Sequence, residues 1–172
     1  MISAPAPLVR LLEPWSHAYG DSKVLPPVIV FAHIAALVFG GGYAVTLDRF
    51  TLRAFRSPAV REAQLAELSR SHRLVMIGLT GSVVSGLLLF TSDIETYWTS
   101  VIWWTKASLI VLLLLNGVGS MKLEAQVRES RESRESRVNA EAAWRGLRLT
   151  AIASMLLWFA VALCGVALDK AG

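Results

Sequence analysis

The sequence predicts an all-α integral membrane protein, a four-helix transmembrane bundle with both termini on the outer, periplasmic side. Three observations predict it. First, the chain is 172 residues long, 54% hydrophobic and only 17% charged, too apolar for a soluble domain of its size. Second, its apolar residues gather into runs from Pro26 to Leu47, Leu74 to Phe90, Val101 to Met121 and Leu149 to Leu168. Each run is near the ~20 residues that cross ~30 Å of hydrocarbon as helix. Third, the basic residues are sorted by loop. Arg49, Arg53, Arg56, Arg61, Arg70 and Arg73 lie between the first two runs, and Lys122, Arg128, Arg131, Arg134, Arg137, Arg145 and Arg148 between the last two. With an even number of spans, those two loops share one side and the termini the other, as the tendency of Lys and Arg to stay cytoplasmic requires. The net charge of +4 therefore marks topology, and no nucleic-acid partner is expected. The lipid bilayer of a bacterial cytoplasmic (inner) membrane is the expected surrounding.

Residues 1–25 form an outer N-terminal segment. Its opening, MISAPAPLVRLLEPW, has no basic stretch leading into a continuous apolar core, and so is not read as a signal peptide. Leu8, Val9, Leu11 and Leu12 before Trp15 suit a short amphipathic piece lying in the interface. Residues 26–170 form a single transmembrane domain with spans at about 26–47, 71–91, 101–121 and 149–168 and cytoplasmic loops at 48–70 and 122–148. Pro26-Pro27 open the first span, where a missing N–H costs nothing. Asp48-Arg49 marks its inner end. Ser57-Pro58 reads as a helix N-cap with proline at the first position, so the second helix starts in the cytoplasm and runs into the membrane. Gly78, Ser82 and Gly86, with Gly81 and Ser85, give that span faces of small residues on which another helix can pack closely.

Trp103, Trp104, Tyr97, Trp98 and Trp15 gather at the outer boundary as an interfacial belt. The third helix is expected to continue inward past Lys122, where the sequence keeps strong helix formers. Its later part repeats Arg-Glu-Ser from Arg128 to Ser136. A period of three drifts around a 3.6-residue helix, so the segment is expected to be solvated, as a polar connector or as a surface for anionic headgroups or an acidic partner. Cys164, the only cysteine, lies in the fourth run and excludes an internal disulfide; it reads as a packing residue.

His33 is the residue that points to chemistry. An ionisable side chain inside a span needs a partner and marks a functional site by default; the structural alternative is an imidazole satisfied by a carbonyl or a neighbouring helix. His33 lies about seven residues, ~10 Å, inward from the outer end of its span, and Lys106 about five residues, ~8 Å, inward from the outer end of the third. The two share a level on different helices. His72 stands at the inner mouth of the second span, ~18 Å from His33 along the axis, too far for both to ligate one iron. Ala36, Leu37, Gly40 and Ala44 continue the His33 face and leave a slot that either a planar macrocycle or another helix can fill. Asn116 needs an interhelical partner. Zinc clusters, phosphate-binding glycine loops and carboxylates deep in a span are not found.

These residues resemble a known pattern. Phe31-Ala32-His33-Ile34 with the following glycines, Tyr43 and Arg49, then Ser71-His72-Arg73-Leu74 with Gly78 and Gly86, then Trp104-Thr105-Lys106 and Lys122-Leu123, are similar to the HemJ-type membrane protoporphyrinogen oxidases and the CopD-like four-helix membrane proteins. The resemblance spans about residues 28 to 123. It implies that His33 and Lys106 belong to one functional site, with haem b, and gives Arg49 a role at the inner end of the first helix. Where that pattern has a histidine two residues before the lysine, this sequence has Trp104, which makes it a divergent member.

The leading expectation is a cofactor-binding redox protein of the haem b or related tetrapyrrole class. It has His33 as metal ligand or acid/base, Lys106 pairing a propionate or other anion, and Gly40 and Arg49 contributing to the cofactor site. A second reading is a non-catalytic accessory subunit that contacts other subunits of a bioenergetic membrane complex. A third is copper handling at the outer face through His17 and His33.

Overall fold

The computed structural model describes residues 3–54, 57–132 and 137–171, with side chains at all of these except 58, 59, 62, 63, 66, 68–72, 130–132, 137–139 and 169–171. The elements are α1 (Ala6–Asp21), α2 (Leu25–Ala54), α3 (Pro58–Ser92), α4 (Ile94–Thr99), α5 (Val101–Glu132) and α6 (Arg137–Ala171). Among the described residues there is no strand. Four stretches are long and apolar enough to cross a membrane, Leu25–Ala54, Arg73–Ser92, Val101–Glu129 and Ala140–Leu168, and they match the runs read from the sequence.

The helices pack as two hairpins, α2 on α3 and α5 on α6, joined along α2 and α6. Small residues make the first hairpin tight. A Cβ added to Gly78 would stand 2.5 Å from the Gly40 Cα, so the two backbones touch, as small-residue faces permit in lipid. Beside this contact Ala44, Leu79, Leu113 and Trp158, one from each long helix, form the central cluster. Long side chains bridge α3 to α5: Phe90 stacks on Trp103 with ring centroids 4.0 Å apart, and the Arg128 guanidinium donates to the Leu65 carbonyl at 2.5 Å.

A second core lies at the end of the bundle away from the chain termini. Ala54, Leu65, Val127, Ala143, Trp144 and Leu147 are buried there together. The sequence expectation of a purely polar segment at 122–148 does not extend to these residues. Leu123 and Val127 on α5, like Ala143 and Leu147 on α6, recur every four positions and form facing apolar stripes before the three-residue repeat can drift off the face. Buried Gln64 is satisfied locally: its amide donates to Thr51 Oγ1 at 3.0 Å and to the Leu47 carbonyl at 3.3 Å. Arg61 lies over the Trp144 ring at 5.1 Å while pairing with Glu141. Residues 133–136, the end of the repeat, lie outside the described residues.

At the termini end, α1 is tied to the last turn of α3. The Trp15 indole N–H donates to the Leu88 carbonyl at 3.2 Å, and the Ser16 hydroxyl to the Ser92 carbonyl at 2.7 Å. The Ser92 carbonyl is one of those a helix end leaves without an intrahelical partner. Ser22 accepts from the amides of Val24 and Leu25 at the start of α2. Asp93 accepts from the Thr96 amide and so caps α4. The tryptophans of the expected belt pack on one another, Trp98 against Trp104 and Trp104 against Trp103, both edge to face.

Candidate functional site

The residues paired by depth meet in the structure. Lys106 Nζ, on the second turn of α5, lies 3.3 Å from His33 Nε2, on the third turn of α2. The other ring nitrogen, Nδ1, lies 3.0 Å from Ser85 Oγ on α3. The direction of these bonds follows from the serine. Ser85 Oγ donates its single proton to the Gly81 carbonyl at 2.6 Å, so toward His33 it can only accept. His33 therefore donates from Nδ1–H, which leaves the lone pair of Nε2 to accept from Lys106. One continuous chain results, from Lys106 N–H to His33, Ser85 and the α3 backbone.

Four helices surround this chain. Gly86 has no side chain where a Cβ would stand 3.2 Å from His33 Cε1, and a Cβ on Gly165 of α6 would lie 3.5 Å from Lys106 Nζ. Glycine thus lets the imidazole press on α3 and the ammonium reach α6. Among the described residues, neither His33 nor Lys106 forms an ion pair with a carboxylate. Two nitrogen bases facing each other with no acid between them make an electropositive, hydrogen-bond-donating site, and Lys106 has N–H donors beyond the one given to His33.

The geometry bears on each other candidate. Gly40 is buried against Gly78, so of the two uses of the slot, approach of a helix is the one realised there. Arg49 is exposed, sixteen residues along α2 from His33, about 24 Å at the helical rise; the fold does not bring it to the pair. His17 is exposed on α1 and lies 3.8 Å from Glu13, and among the described residues no group of three His, Cys, Asp or Glu could hold a metal ion. The His72 side chain lies outside the described residues. For haem, axial ligation needs the Nε2 lone pair. Lys106 takes it, so the arrangement as it stands does not fit His33 as an iron ligand.

Two polar residues gain importance that the sequence did not give them. Ser85 was legible only as part of a small-residue ridge, yet it orients His33. Asp48, read as a marker of the membrane edge, points into the bundle, where the Ser154 hydroxyl bonds its carboxyl. Asn116 behaves as expected: its amide donates to the Thr150 carbonyl of α6 at 3.0 Å.

Compared with known proteins, the chain matches no family model, no curated protein and no solved structure.

Proposed function

We propose that this multi-pass membrane protein binds an acidic, lipid-soluble redox cofactor, with Lys106 and His33 receiving its anionic oxygen. The observation that carries the reading is the bond between Lys106 and His33 without a carboxylate counter-ion among the described residues. A buried ammonium is costly unless an anion joins it, and the exchange of a lysine–imidazole bond for a lysine–anion bond offsets that cost. In the bound form Lys106 holds the anion, while His33, kept in one tautomer by Ser85, accepts or returns a proton at Nε2. The cofactor supplies the electron chemistry. A tetrapyrrole bearing propionates is the class favoured by the resemblance to HemJ-type and CopD-like proteins, since His33 and Lys106 are among the residues that carry it. The anion at Lys106, and not iron at His33, is then the protein's hold on it. The sorting of arginine and lysine supports a reading in which the termini, and the site, face outward in a bacterial cytoplasmic membrane.

The test is extraction. Protein purified in mild detergent after haem-replete expression is examined by visible spectroscopy and by mass spectrometry of its solvent extract. The reading expects an acidic lipophile in the wild type that is lost in Lys106→Met and regained in Lys106→Arg. Equal recovery from wild type and Lys106→Met would sink it. A Soret band that survives Lys106→Met but disappears in His33→Ala would show axial ligation instead.

The accessory-subunit reading draws on a separate observation. Gly42 of α2 and Gly117 of α5 have nothing within 4 Å of where a Cβ would stand, which suits approach by helices of another subunit. Migration of the solubilised protein as an isolated small species would remove that reading.

A further inference from the structure

At the end of the bundle opposite the His33–Lys106 pair stands a carboxyl with no counter-charge among the described residues. Asp48 lies fifteen residues beyond His33 on α2, about 22 Å along the axis. It continues the stripe Gly41, Ala44, Asp48, spaced by three and four residues, that faces α6. Gly41 touches the Trp158 ring, Ala44 shares a cluster with Trp158, and the Ser154 hydroxyl bonds the Asp48 carboxyl. Its Oδ2 is buried and has no hydrogen-bond partner. The next residue, Arg49, is exposed, as are Arg73, Lys122 and Arg145, the basic residues expected where the helices leave the hydrocarbon. The buried Oδ2 of Asp48 is thus turned inward at the level where these basic residues turn out.

The chemistry of the missing partner is narrow. An ionised carboxylate spreads its charge over both oxygens and needs donors at each, so one buried oxygen without a donor costs several kcal/mol. Hard cations take six or more oxygens, and among the described residues no three His, Cys, Asp or Glu gather to supply them. Among the described groups the polar neighbour that acts on the Asp48 carboxyl is Ser154 of α6, and it does not titrate in the accessible range. What one carboxyl beside one hydroxyl can hold is a proton.

The structure assigns Asp48, we propose, as a proton-binding site at the basic end of the bundle, which loads and releases a proton on its buried oxygen beside Ser154. This is a second site, independent of any ligand at Lys106. In the neutral form the carboxyl is accommodated among Ala44, Trp158 and Ser154, and in the ionised form it lacks a donor. Its proton occupancy therefore follows access from the side on which Arg49 is exposed.

The test is chemical labelling of the full-length protein in detergent micelles with dicyclohexylcarbodiimide. A protonated carboxyl adds its O–H across one C=N bond of the reagent, and the O-acylisourea rearranges to a stable N-acylurea, with no group lost and no oxidant required. Peptide mass spectrometry is expected to find Asp48 labelled about tenfold or more faster than the exposed Asp93 and Glu95. The rate should fall by about tenfold per pH unit on the alkaline side of its titration. Asp48→Asn should abolish the adduct and also the infrared carbonyl band of a protonated acid, whereas Ser154→Ala and Lys106→Met should both retain labelling. Should Asp48→Asn fail to fold, the labelling map and infrared band of the wild type decide alone. Labelling of Asp48 no faster than that of Asp93, or no protonated-acid band, would overturn the assignment.

Discussion

Replacing Gly78 with alanine tests how much of the bundle depends on backbone contact between α2 and α3. The new Cβ would stand 2.5 Å from Gly40 Cα and 2.7 Å from Gly40 N. Carbon atoms attract best at about 3.5–4 Å, so the helices must part by about 1 Å. Neither obstructing atom belongs to a side chain that can swing away. Overpacking of this kind costs about 1–3 kcal/mol, against which alanine gains about 1 kcal/mol of helix propensity over glycine. Gly42→Ala removes that offset from the comparison, because a Cβ there meets nothing within 4 Å and gains the same propensity. The gap between the two variants is therefore the packing term, about 1–3 kcal/mol. The assay is unfolding of the purified protein in mixed micelles of rising dodecyl sulfate content, followed by circular dichroism. The same parting lengthens the bond from His33 to Ser85, which join the same two helices about two turns away, so Gly78→Ala should also weaken retention of any ligand at Lys106. Equal unfolding midpoints for Gly78→Ala and Gly42→Ala would refute the reasoning.

Three further outcomes follow from other contacts. Trp144→Ala empties a nearly closed position in the second core and removes the ring beneath Arg61; loss of about 3–5 kcal/mol is expected, read as a lowered unfolding midpoint. Asn116→Leu deletes the amide donor to the Thr150 carbonyl. Because α6 keeps its own helical bonds there, the cost should be about 0.6 kcal/mol, the average for a polar contact between membrane helices; a loss several times larger would show a wider role for the amide. Trp15→Phe with Ser16→Ala removes both bonds from α1 to the last turn of α3. Faster protease cleavage within α1, with the remaining helices uncut, is the expected result, and an unchanged rate would show that apolar contacts alone hold α1 down.

Much of the architecture could be read in the chain because membrane helices obey coarse rules. Four apolar runs of sufficient length and two basic loops gave the spans, and Ser57-Pro58 gave the start of α3 well before its apolar part. The level shared by His33 and Lys106 required only the rise per residue and helices that start at the same end of the bundle, as α2 and α5 do. Direction around the helix axis was harder to read. A span apolar on every side carries no periodic signal for its inward face, so neither Ser85 as the partner of His33 nor the inward turn of Asp48 could be assigned. The same ignorance of facing hid the use of Gly40, whose neighbour Gly78 is far off in sequence. Trp144 was missed for a different reason: the conspicuous Arg-Glu-Ser repeat drew a whole segment into a polar reading, although the four-residue spacing of Leu123 and Val127 and of Ala143 and Leu147 was present on either side of it.

His33 comes from the first hairpin and Lys106 from the second. Membrane proteins of this kind insert helices first and associate them afterwards, and each hairpin already buries much of its own small-residue contact. The hydrogen bond between imidazole and ammonium forms only when the two preassembled halves dock, so the site doubles as a record of completed assembly. Until that moment His33 Nε2 and Lys106 Nζ each lack the partner that the other half supplies. Two hairpins produced as separate chains should therefore recover any ligand together, and neither should hold it alone.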